Sequence, residues 1–344
     1  MAAEDVPPAL YARTWSTPAG DSASSGTRLS VLQFNVLADS LCAQMDNYGG
    51  FAGPRDSMEW ELRRTRLVEE VTRHGALPDI VGMEEVDHFA DWFEPQMAAL
   101  GYAGFWAKKP KEKSKDGSAL FWQTSRLALR GEVEVQRFVE ADGSGANQIA
   151  LLATLDILAD EMPPPAAAAP PLPPTAAVFV AVTHLKASKD AQGERDRAEQ
   201  IVQLFDRVAA LRGDLPCIAV MDMNAAPESS ASAPYPAAAY PAALSHGALR
   251  VESAYARVLG GEPAWTTWKR RIGAFKAGEA KHTIDYIFTS PDIAVARVLN
   301  VPDEASIIET RLPGWEYPSD HVALRADLVL VSSELLSTPR RRAV

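Results

Sequence analysis

The chain is 344 residues long, with 47% hydrophobic and 23% charged residues, proportions that are ordinary for a globular protein. Its formal net charge of −11 disfavours a protein that wraps long nucleic acids, because phosphate neutralisation requires an excess of Lys and Arg. Cys42 and Cys217 are the only cysteines, too few for a disulfide framework and without the spacing of a zinc site. No apolar run is long enough to cross a bilayer. We therefore expect an intracellular, cytoplasmic protein without a membrane span.

Short apolar runs alternate with two stretches of helical period along the chain. Residues 1–28 carry neither a secretory apolar core nor an Arg-rich amphipathic face, so they are predicted to form a loose tail. Eight runs rich in β-branched and apolar residues predict strands, namely 29–36, 79–83, 119–122, 149–155, 178–183, 217–221, 284–289 and 322–331. Residues 57–74 and 194–212 place apolar side chains on one face and predict two helices, which end at Gly75 and Gly213.

The mixture of many strands with a few long helices predicts an α/β fold. Two packed β-sheets flanked by helices, a four-layer α/β sandwich, would bury these runs. Two Ala/Pro-rich segments, 163–177 and 225–243, have no hydrophobic period and are predicted to be surface loops rather than linkers. The chain is therefore expected to form a single domain over residues 29–332, followed by a second tail at 333–344.

Acidic, amide and imidazole side chains recur at or near the ends of the predicted strands. Because a sheet places equivalent strand ends side by side, these groups are expected to converge. They are Asn35, Glu84, Glu85, His184, Asp222, Asn224, Asp285, Asp320 and His321. Carboxylate and amide oxygens without thiolates favour a hard divalent cation, Mg²⁺ or Mn²⁺, over zinc. An Asp beside a His at such a point suits metal-assisted phosphoester hydrolysis.

The order of these motifs resembles the endonuclease/exonuclease/phosphatase superfamily over nearly the whole chain, from Leu29 to Val331. The motifs are Phe34-Asn35-Val36-Leu37, Glu85-Val86-Asp87-His88, Asp116-Gly117-Ser118-Ala119-Leu120-Phe121, Thr183-His184-Leu185-Lys186-Ala187, Asp222-Met223-Asn224, His282-Thr283-Ile284-Asp285-Tyr286-Ile287 and Tyr317-Pro318-Ser319-Asp320-His321. Two further runs, Trp265-Thr266-Thr267-Trp268-Lys269 and Arg311-Leu312-Pro313, resemble the nocturnin-like, deadenylase-like branch. The resemblance implies a metal-dependent hydrolase of phosphate esters.

The resemblance also implies roles for the residues around the metal. Glu85 is expected to be the principal ligand, with Asn35 and Asp320 completing or supporting the metal site. Asp222 is expected to orient the attacking water and to help deprotonate it. The metal would neutralise charge that develops on the phosphoryl oxygens.

A second group of residues is implied to act on the phosphoryl group. Asn224 and His184 would hold its oxygens, and His321 would serve as hydrogen-bond donor or general base. Asp285 would fix the tautomer of His321.

Two substrates remain open, the 2′-phosphate of NADP(H) and the 3′ end of poly(A) RNA. The resemblance implies that substrate is bound by Lys109, Asp116, Asn147, Lys186 and Lys281. Ser188 departs from the branch, which tends to have an Arg there, and the neighbouring Lys189 is a candidate to compensate.

The acidity of the chain and the lack of an added RNA-binding module favour the small nucleotide over the polymer. Deadenylation of mRNA is the alternative, and a silent scaffold that binds a nucleotide or a partner is a lesser one. Trp106, Phe121 and Trp122 are candidates to stack an adenine, although aromatic residues in strands are more often core.

Overall fold

The structure is a computed structural model that describes residues 7–19, 26–43, 50–158, 176–230, 234–272 and 277–330. Its strands are β1 (Trp15–Ser16), β2 (Thr27–Asn35), β3 (Ile80–Val86), β4 (Tyr102–Lys108), β5 (Gly117–Gln123), β6 (Leu127–Val139), β7 (Gly145–Ile157), β8 (Ala176–His184), β9 (Cys217–Asp222), β10 (Glu252–Ser253), β11 (Thr267–Arg271), β12 (Gly278–His282), β13 (Asp285–Thr289), β14 (Ile293–Leu299) and β15 (Leu324–Leu330). Its helices are α1 (Asp39–Cys42), α2 (Trp60–Thr72), α3 (Glu94–Ala99), α4 (Ala191–Arg212), α5 (Ala239–Leu244) and α6 (Ala254–Leu259).

The strands form two large sheets and one hairpin. The first sheet has the order β1-β14-β15-β2-β3-β5-β4, the second has the order β10-β13-β9-β8-β7-β6, and β11 pairs with β12. Apolar side chains of both sheets meet in one buried cluster, in which Val31 and Ile80 of the first sheet join Val180 and Val220 of the second. Gly82 lies where the sheets approach closely, since a Cβ there would stand 2.4 Å from Val220 Cγ2. The sheets are therefore packed face to face.

Helices cover the outer face of each sheet. The inward face of α4 packs on the second sheet through Ile201, Leu204, Phe205 and Val208. The first sheet is covered by α2, through Leu67 and Val71, and by Phe93 and Met97 around α3. The predicted four-layer α/β sandwich is confirmed, because each apolar helix stripe has a sheet face to bury it.

Each of the eight predicted strands overlaps an observed one. The strands that the sequence did not predict are β1, β4, β6, β10, β11, β12 and β14. The thirteen-residue β6 was not predicted because it is an edge strand whose middle is exposed or half-buried, so its sequence lacks an apolar alternation. Of the aromatic residues proposed to stack a base, Phe121 and Trp122 are buried in the core.

The prediction of a loose tail over residues 1–28 is wrong for residues 7–19. Leu10 and Tyr11 are buried, and β1 pairs with β14 at the edge of the first sheet. The side chain of Arg13 is buried as well, and its NH1 lies 2.7 Å from Glu70 Oε1. The ion pair between Arg13 and Glu70 helps to hold this segment on the domain. A search for hydrophobic periodicity cannot detect such a polar contact. Residues 26–28 also belong to the fold, because β2 begins at Thr27.

The Ala/Pro-rich segments have different outcomes. Residues 239–243 belong to α5, whose Ala239 and Ala243 are buried against the second sheet, so the loop prediction fails there. Ala residues permit this close packing, and the prolines nearby hid the helix. Residues 163–175 and the predicted tail at 333–344 lie outside the described residues. No helix in the described part of the chain combines the length and the apolar character that a membrane crossing requires.

Candidate active site

Strand register brings the predicted strand-end residues into two facing rows. In the second sheet, His184 of β8 and Asp285 of β13 are both direct partners of Asp222 at the end of β9. In the first sheet, Asn35 of β2 is the partner of Glu84 in β3. Because the sheets are packed face to face, both rows end at the same edge of the sandwich. Asn35 Nδ2 bridges them by donating to Asp222 Oδ2 at 2.9 Å.

Asn35 and Asp222 also stabilise the turns that follow their own strands. Asn35 Oδ1 accepts from Leu37 N at 3.0 Å, and Asp222 Oδ1 accepts from Asn224 N at 2.9 Å. Each is the local side-chain-to-backbone bond that lets Asn and Asp reverse a chain. Asn35 thus uses its amide to position Asp222, and its oxygen is already engaged by its own backbone.

Glu85 reaches the site through an unusual backbone conformation. Its φ of 58° lies in the left-handed region, which breaks the alternation of β3. Ligand atoms of Glu85, His184 and Asp222 lie within 4.8 Å of one another. Burial raises the pKa of the Glu85 carboxyl, and nearby Asp320 and Asp116 raise it further against the lowering effect of Lys109. Several buried carboxylates therefore crowd one point, where a cation would relieve their repulsion.

His321 and Asp285 form a buried imidazole–carboxylate pair. His321 Nδ1 lies 3.0 Å from Asp285 Oδ2 and 3.2 Å from Oδ1, while Thr266 Oγ1 donates to Oδ2 at 2.6 Å. Burial lowers the pKa of His321, but Asp285, Asp320 and Asp222 outweigh burial and raise it to about 9. The bond at Nδ1 leaves Nε2 of the imidazolium as a donor for substrate.

His184 is buried beside this pair but stays neutral. Burial lowers the pKa of His184 well below its usual value, and Lys109 and His321 lower it further. Asn224 Nδ2 lies 2.8 Å from His184 Nε2 and also donates to Leu185 O at 3.1 Å. With Nε2 as acceptor, the ring proton resides on Nδ1, which has no partner among the described residues.

Asp320, which was predicted to complete or support the metal site, is paired with a lysine. Lys269 Nζ forms an ion pair with Asp320 Oδ2, and Thr267 Oγ1 donates to the Asp320 carbonyl at 2.7 Å. Burial raises the pKa of Asp320, but Lys269 and His321 hold it well below its usual range, so the carboxylate stays charged. Asp320 is thus not part of the Glu85 cluster, whose members are His184 and Asp222.

The donor set of the Glu85 cluster fits a hard divalent cation. Its carboxylates supply oxygen ligands, and neither buried cysteine, Cys42 or Cys217, is among its members. Burial and the adjacent Asp285 raise the pKa of Asp222, so a cation would also stabilise the charged form of that carboxylate. A second cluster of Asp222, Asp285 and His321 is less suitable, since His321 Nδ1 is occupied by Asp285.

Most of the predicted substrate-binding residues have internal partners. Lys109 Nζ lies 2.5 Å from Asp116 Oδ2, and Lys281 Nζ lies 2.6 Å from Glu304 Oε1. Asn147 Oδ1 accepts from Lys111 N at 2.8 Å, so Asn147 supports the lysine-rich loop that follows β4. Of these residues, Lys109 and Asp116 are near enough to act on the pKa of Glu85, whereas the Asn147 side chain is directed to that loop.

Sequence reasoning missed several supporting residues. Gln33 Nε2 donates to Glu84 Oε2 at 2.9 Å and to Asp285 Oδ1 at 3.1 Å. Burial raises the pKa of Glu84 well above its usual value, and the carboxylates of Asp285 and Asp222 raise it further. A polar residue two positions before Asn35 in a buried strand was the available signal for Gln33, because alternation puts both on one face. The roles of Thr266 and Lys269 depend on the β11 hairpin, which was not predicted.

Comparison with known proteins gives consistent results. Residues 32–321 match the Endonuclease/Exonuclease/phosphatase family. Nocturnin of Rattus norvegicus is 30% identical over 335 residues, which cover 93% of this chain and 70% of that protein. Carbon catabolite repressor protein 4 homolog 1 of Arabidopsis thaliana is 27% identical, over 90% of this chain and 58% of that protein.

Solved structures share the fold. The human Nocturnin catalytic domain with bound sulfate anion superposes with a TM-score of 0.67 at 26% identity, covering 93% of this chain and 98% of that chain. ANGEL2, a 2′,3′-cyclic phosphatase, superposes with a TM-score of 0.68, covering 93% of this chain and 99% of that chain, and its 20% identity shows the fold alone. The resemblance predicted from the motifs is confirmed. The chain belongs to the endonuclease/exonuclease/phosphatase family, as a nocturnin-like phosphoester hydrolase.

Proposed function

We propose that the protein is a Mg²⁺-dependent phosphatase that removes the 2′-phosphate of NADP(H). The observation that carries the proposal is the convergence of Asp222, bridged by Asn35, with the His321–Asp285 pair at one buried edge of the sandwich. Similarity to nocturnin over 93% of the chain supports the choice of substrate, because the motifs of that branch imply this activity.

Glu85 and Asp222 are assigned the metal site and the activation of water. Glu85 and Asp222 would hold Mg²⁺, with Asp320 nearby, and the bound ion would supply charge neutralisation at the phosphoryl oxygens. Asp222, fixed by Asn35, orients a water toward phosphorus and accepts its proton. The water oxygen forms the new P–O bond as the bond from phosphorus to the ribose oxygen breaks.

The imidazoles and the Asn224 amide act on the phosphoryl group. His321, charged and held by Asp285, donates a hydrogen bond to a phosphoryl or leaving oxygen. His184 and Asn224 are the candidates to contact a second oxygen. Both N–H groups of the Asn224 amide already donate, to His184 Nε2 and to Leu185 O, so the phosphoryl oxygen would replace one of these acceptors. His321 is held in place before substrate arrives, since its partner Asp285 is buried, and a donor fixed in advance needs no reorganisation as charge develops.

The charge distribution around the cleft supports a small nucleotide rather than a polymer. Lys109, Lys269 and Lys281 are each paired with a carboxylate, and the chain as a whole is acidic. A long RNA strand is held by a continuous track of cations that are available to many phosphates. Lysines that are paired with carboxylates do not form such a track, which favours a small nucleotide over a polymer.

The experiment measures phosphate released from NADP⁺ and NADPH with Mg²⁺, beside shortening of a poly(A) oligonucleotide. We expect release from the dinucleotides, abolished in Glu85→Ala and retained in Glu69→Ala, a change of an exposed acid on α2. Shortening of poly(A) without action on NADP(H) would replace the proposal with deadenylation. Metal-dependent heat stabilisation without turnover of either substrate would indicate a silent scaffold.

A further inference from the structure

Lys186, which follows the His184 strand, is neutralised by two acids. Its Nζ lies 3.1 Å from Glu140 Oε2 and 2.6 Å from Asp196 Oδ2. An incoming phosphate must compete with both carboxylates for this one cation. Ser188, two residues further, provides no charge at all. At the two positions where the family resemblance implies a cation, this chain therefore has a neutralised Lys186 and an uncharged Ser188, so both attract phosphate weakly.

The chain between Lys186 and α4 is fixed by its backbone. The buried Arg197 donates from NH1 to Lys186 O at 2.8 Å and to Ser188 O at 2.5 Å. Gly193 lies against the same turn, since a Cβ there would stand 2.4 Å from Ser188 O. The turn has therefore little freedom, and the side chain of the next residue, Lys189, has a defined place.

Lys189 lines a cavity of about 340 Å³ beside the β11 hairpin. Lys269 and Arg271 line it too, and they are on one face of β11 because they are two residues apart in a strand. Among the described residues that line it, Glu279 is the one acid, and that carboxylate already accepts from Trp268 Nε1 at 2.5 Å and Arg311 Nε at 3.0 Å. The cavity is consequently cationic.

The cationic cavity adjoins the catalytic carboxylates. Lys269 contacts Asp320, and the charge of Lys189 acts on the neighbouring His282, whose pKa is lowered to about 4 by burial and by Lys189 and Lys269. Lys189 is solvent-exposed, and within the described part of the chain its ammonium forms no hydrogen bond or ion pair. It differs in this from Lys109, Lys186, Lys269 and Lys281, each of which has a carboxylate partner.

We propose that Lys189, Lys269 and Arg271 form a second anion subsite, which holds the diphosphate of a dinucleotide while the scissile phosphate lies at Asp222 and His321. The proposal rests on the proposed function and adds to it the residues that select a substrate with more than one phosphate. The cavity volume is within the range of small-ligand sites, and ammonium and guanidinium groups are the usual partners of phosphate.

The test compares Lys189→Met and Lys189→Arg with the wild type and with Arg207→Met, which removes one exposed charge from the outer face of α4. Steady-state kinetics use NADP⁺, which carries a diphosphate, and adenosine 2′-monophosphate, which does not. Loss of one charged contact is expected to raise KM for NADP⁺ about ten-fold, with kcat and the kinetics of the monophosphate unchanged. Lys189→Arg and Arg207→Met are expected to behave as the wild type does.

Calorimetric titration with inorganic pyrophosphate, in the presence of a chelator, provides a readout that does not require turnover. We expect about ten-fold weaker binding to Lys189→Met than to the wild type. Equal binding of pyrophosphate by both proteins, or an equal rise in KM for the monophosphate, would overturn the subsite. If the wild type hydrolyses neither nucleotide but pyrophosphate binding still depends on Lys189, the proposed function fails and the subsite stands.

Discussion

Replacing Glu70 with glutamine tests how the N-terminal segment is joined to the domain. Glu70 is on α2 with its side chain fully buried, and its carboxylate contacts Arg13 NH1 at 2.7 Å, Arg73 Nε at 2.6 Å and His74 Nε2 at 3.2 Å. Burial raises the pKa of Glu70, but the His74 bond and the charges of Arg13 and Arg73 lower it from 4.5 to about 2.

That lowering of the Glu70 pKa can be converted into folding free energy. A carboxyl whose pKa is about 2 in the folded state and near 4.5 in the unfolded state contributes about 3 kcal/mol at neutral pH. The contribution is complete above the unfolded value and is lost as pH falls toward 2, so at pH 3.5 it is smaller by about 1 kcal/mol. Glu70→Gln also leaves Arg13 buried without its countercharge, which is typically costly by about 3–5 kcal/mol.

Urea unfolding followed by tryptophan fluorescence measures the difference at pH 7 and at pH 3.5. The matched control is Glu69→Gln, which removes the neighbouring charge on the exposed face of α2, 3.9 Å from Arg66. We expect Glu70→Gln to lower the free energy of unfolding by about 3 kcal/mol or more at pH 7, Glu69→Gln by less than about 0.5 kcal/mol, and the first difference to shrink in acid. Equal effects of the two changes, or a difference that grows in acid, would refute the reasoning.

Three further changes probe the candidate active site. Asp285→Asn removes the charge that orients His321, so kcat is expected to fall about a hundred-fold or more with little change in KM; a rise in KM alone would contradict this role. Glu85→Gln is expected to lose the rise in melting temperature that Mg²⁺ gives the wild type, and an undiminished rise would place the metal elsewhere. Glu140→Gln frees Lys186 from one of its two acids, so KM is expected to fall two-fold or more, whereas an unchanged KM would show that Lys186 does not reach the substrate.

The sequence was sufficient for the convergence of the strand ends, and the physical reason is local. The runs that end at Asn35, His184 and Asp222 are apolar and nearly all buried, so their pattern predicts strands, and strand ends in one sheet are neighbours by construction. The register that makes Asp222 the direct partner of both His184 and Asp285 confirms the expectation. Such long, periodic and buried elements are the ones that a single sequence specifies well.

Polar interactions between distant segments could not be predicted from the same patterns. Arg13 and Glu70 are 57 residues apart, and nothing in either neighbourhood indicates the partner. Lys269 and Asp320 are 51 residues apart, and their ion pair changes which carboxylates are available to a metal. The role of a charged residue can be predicted only when its partner is known. That partner is determined by tertiary packing and not by the local hydrophobic periodicity of the sequence.

The strained backbone near the strand ends is the feature of the site that is hardest to predict from the sequence. Leu37 and Glu85 have φ values of 53° and 58°, a conformation that residues other than Gly, Asn and Asp seldom adopt, and Asn224 has a φ of 56°. Leu37 and Asn224 follow the strands that end at Asn35 and Asp222, and Glu85 is the penultimate residue of β3. Glycine would relieve this strain but would remove the side chain that the site needs at two of the three positions. The cost is sustained because Asn35 and Asp222 bond to the turned backbone and to each other, so the same contacts that hold the strained turns also position the catalytic carboxylate.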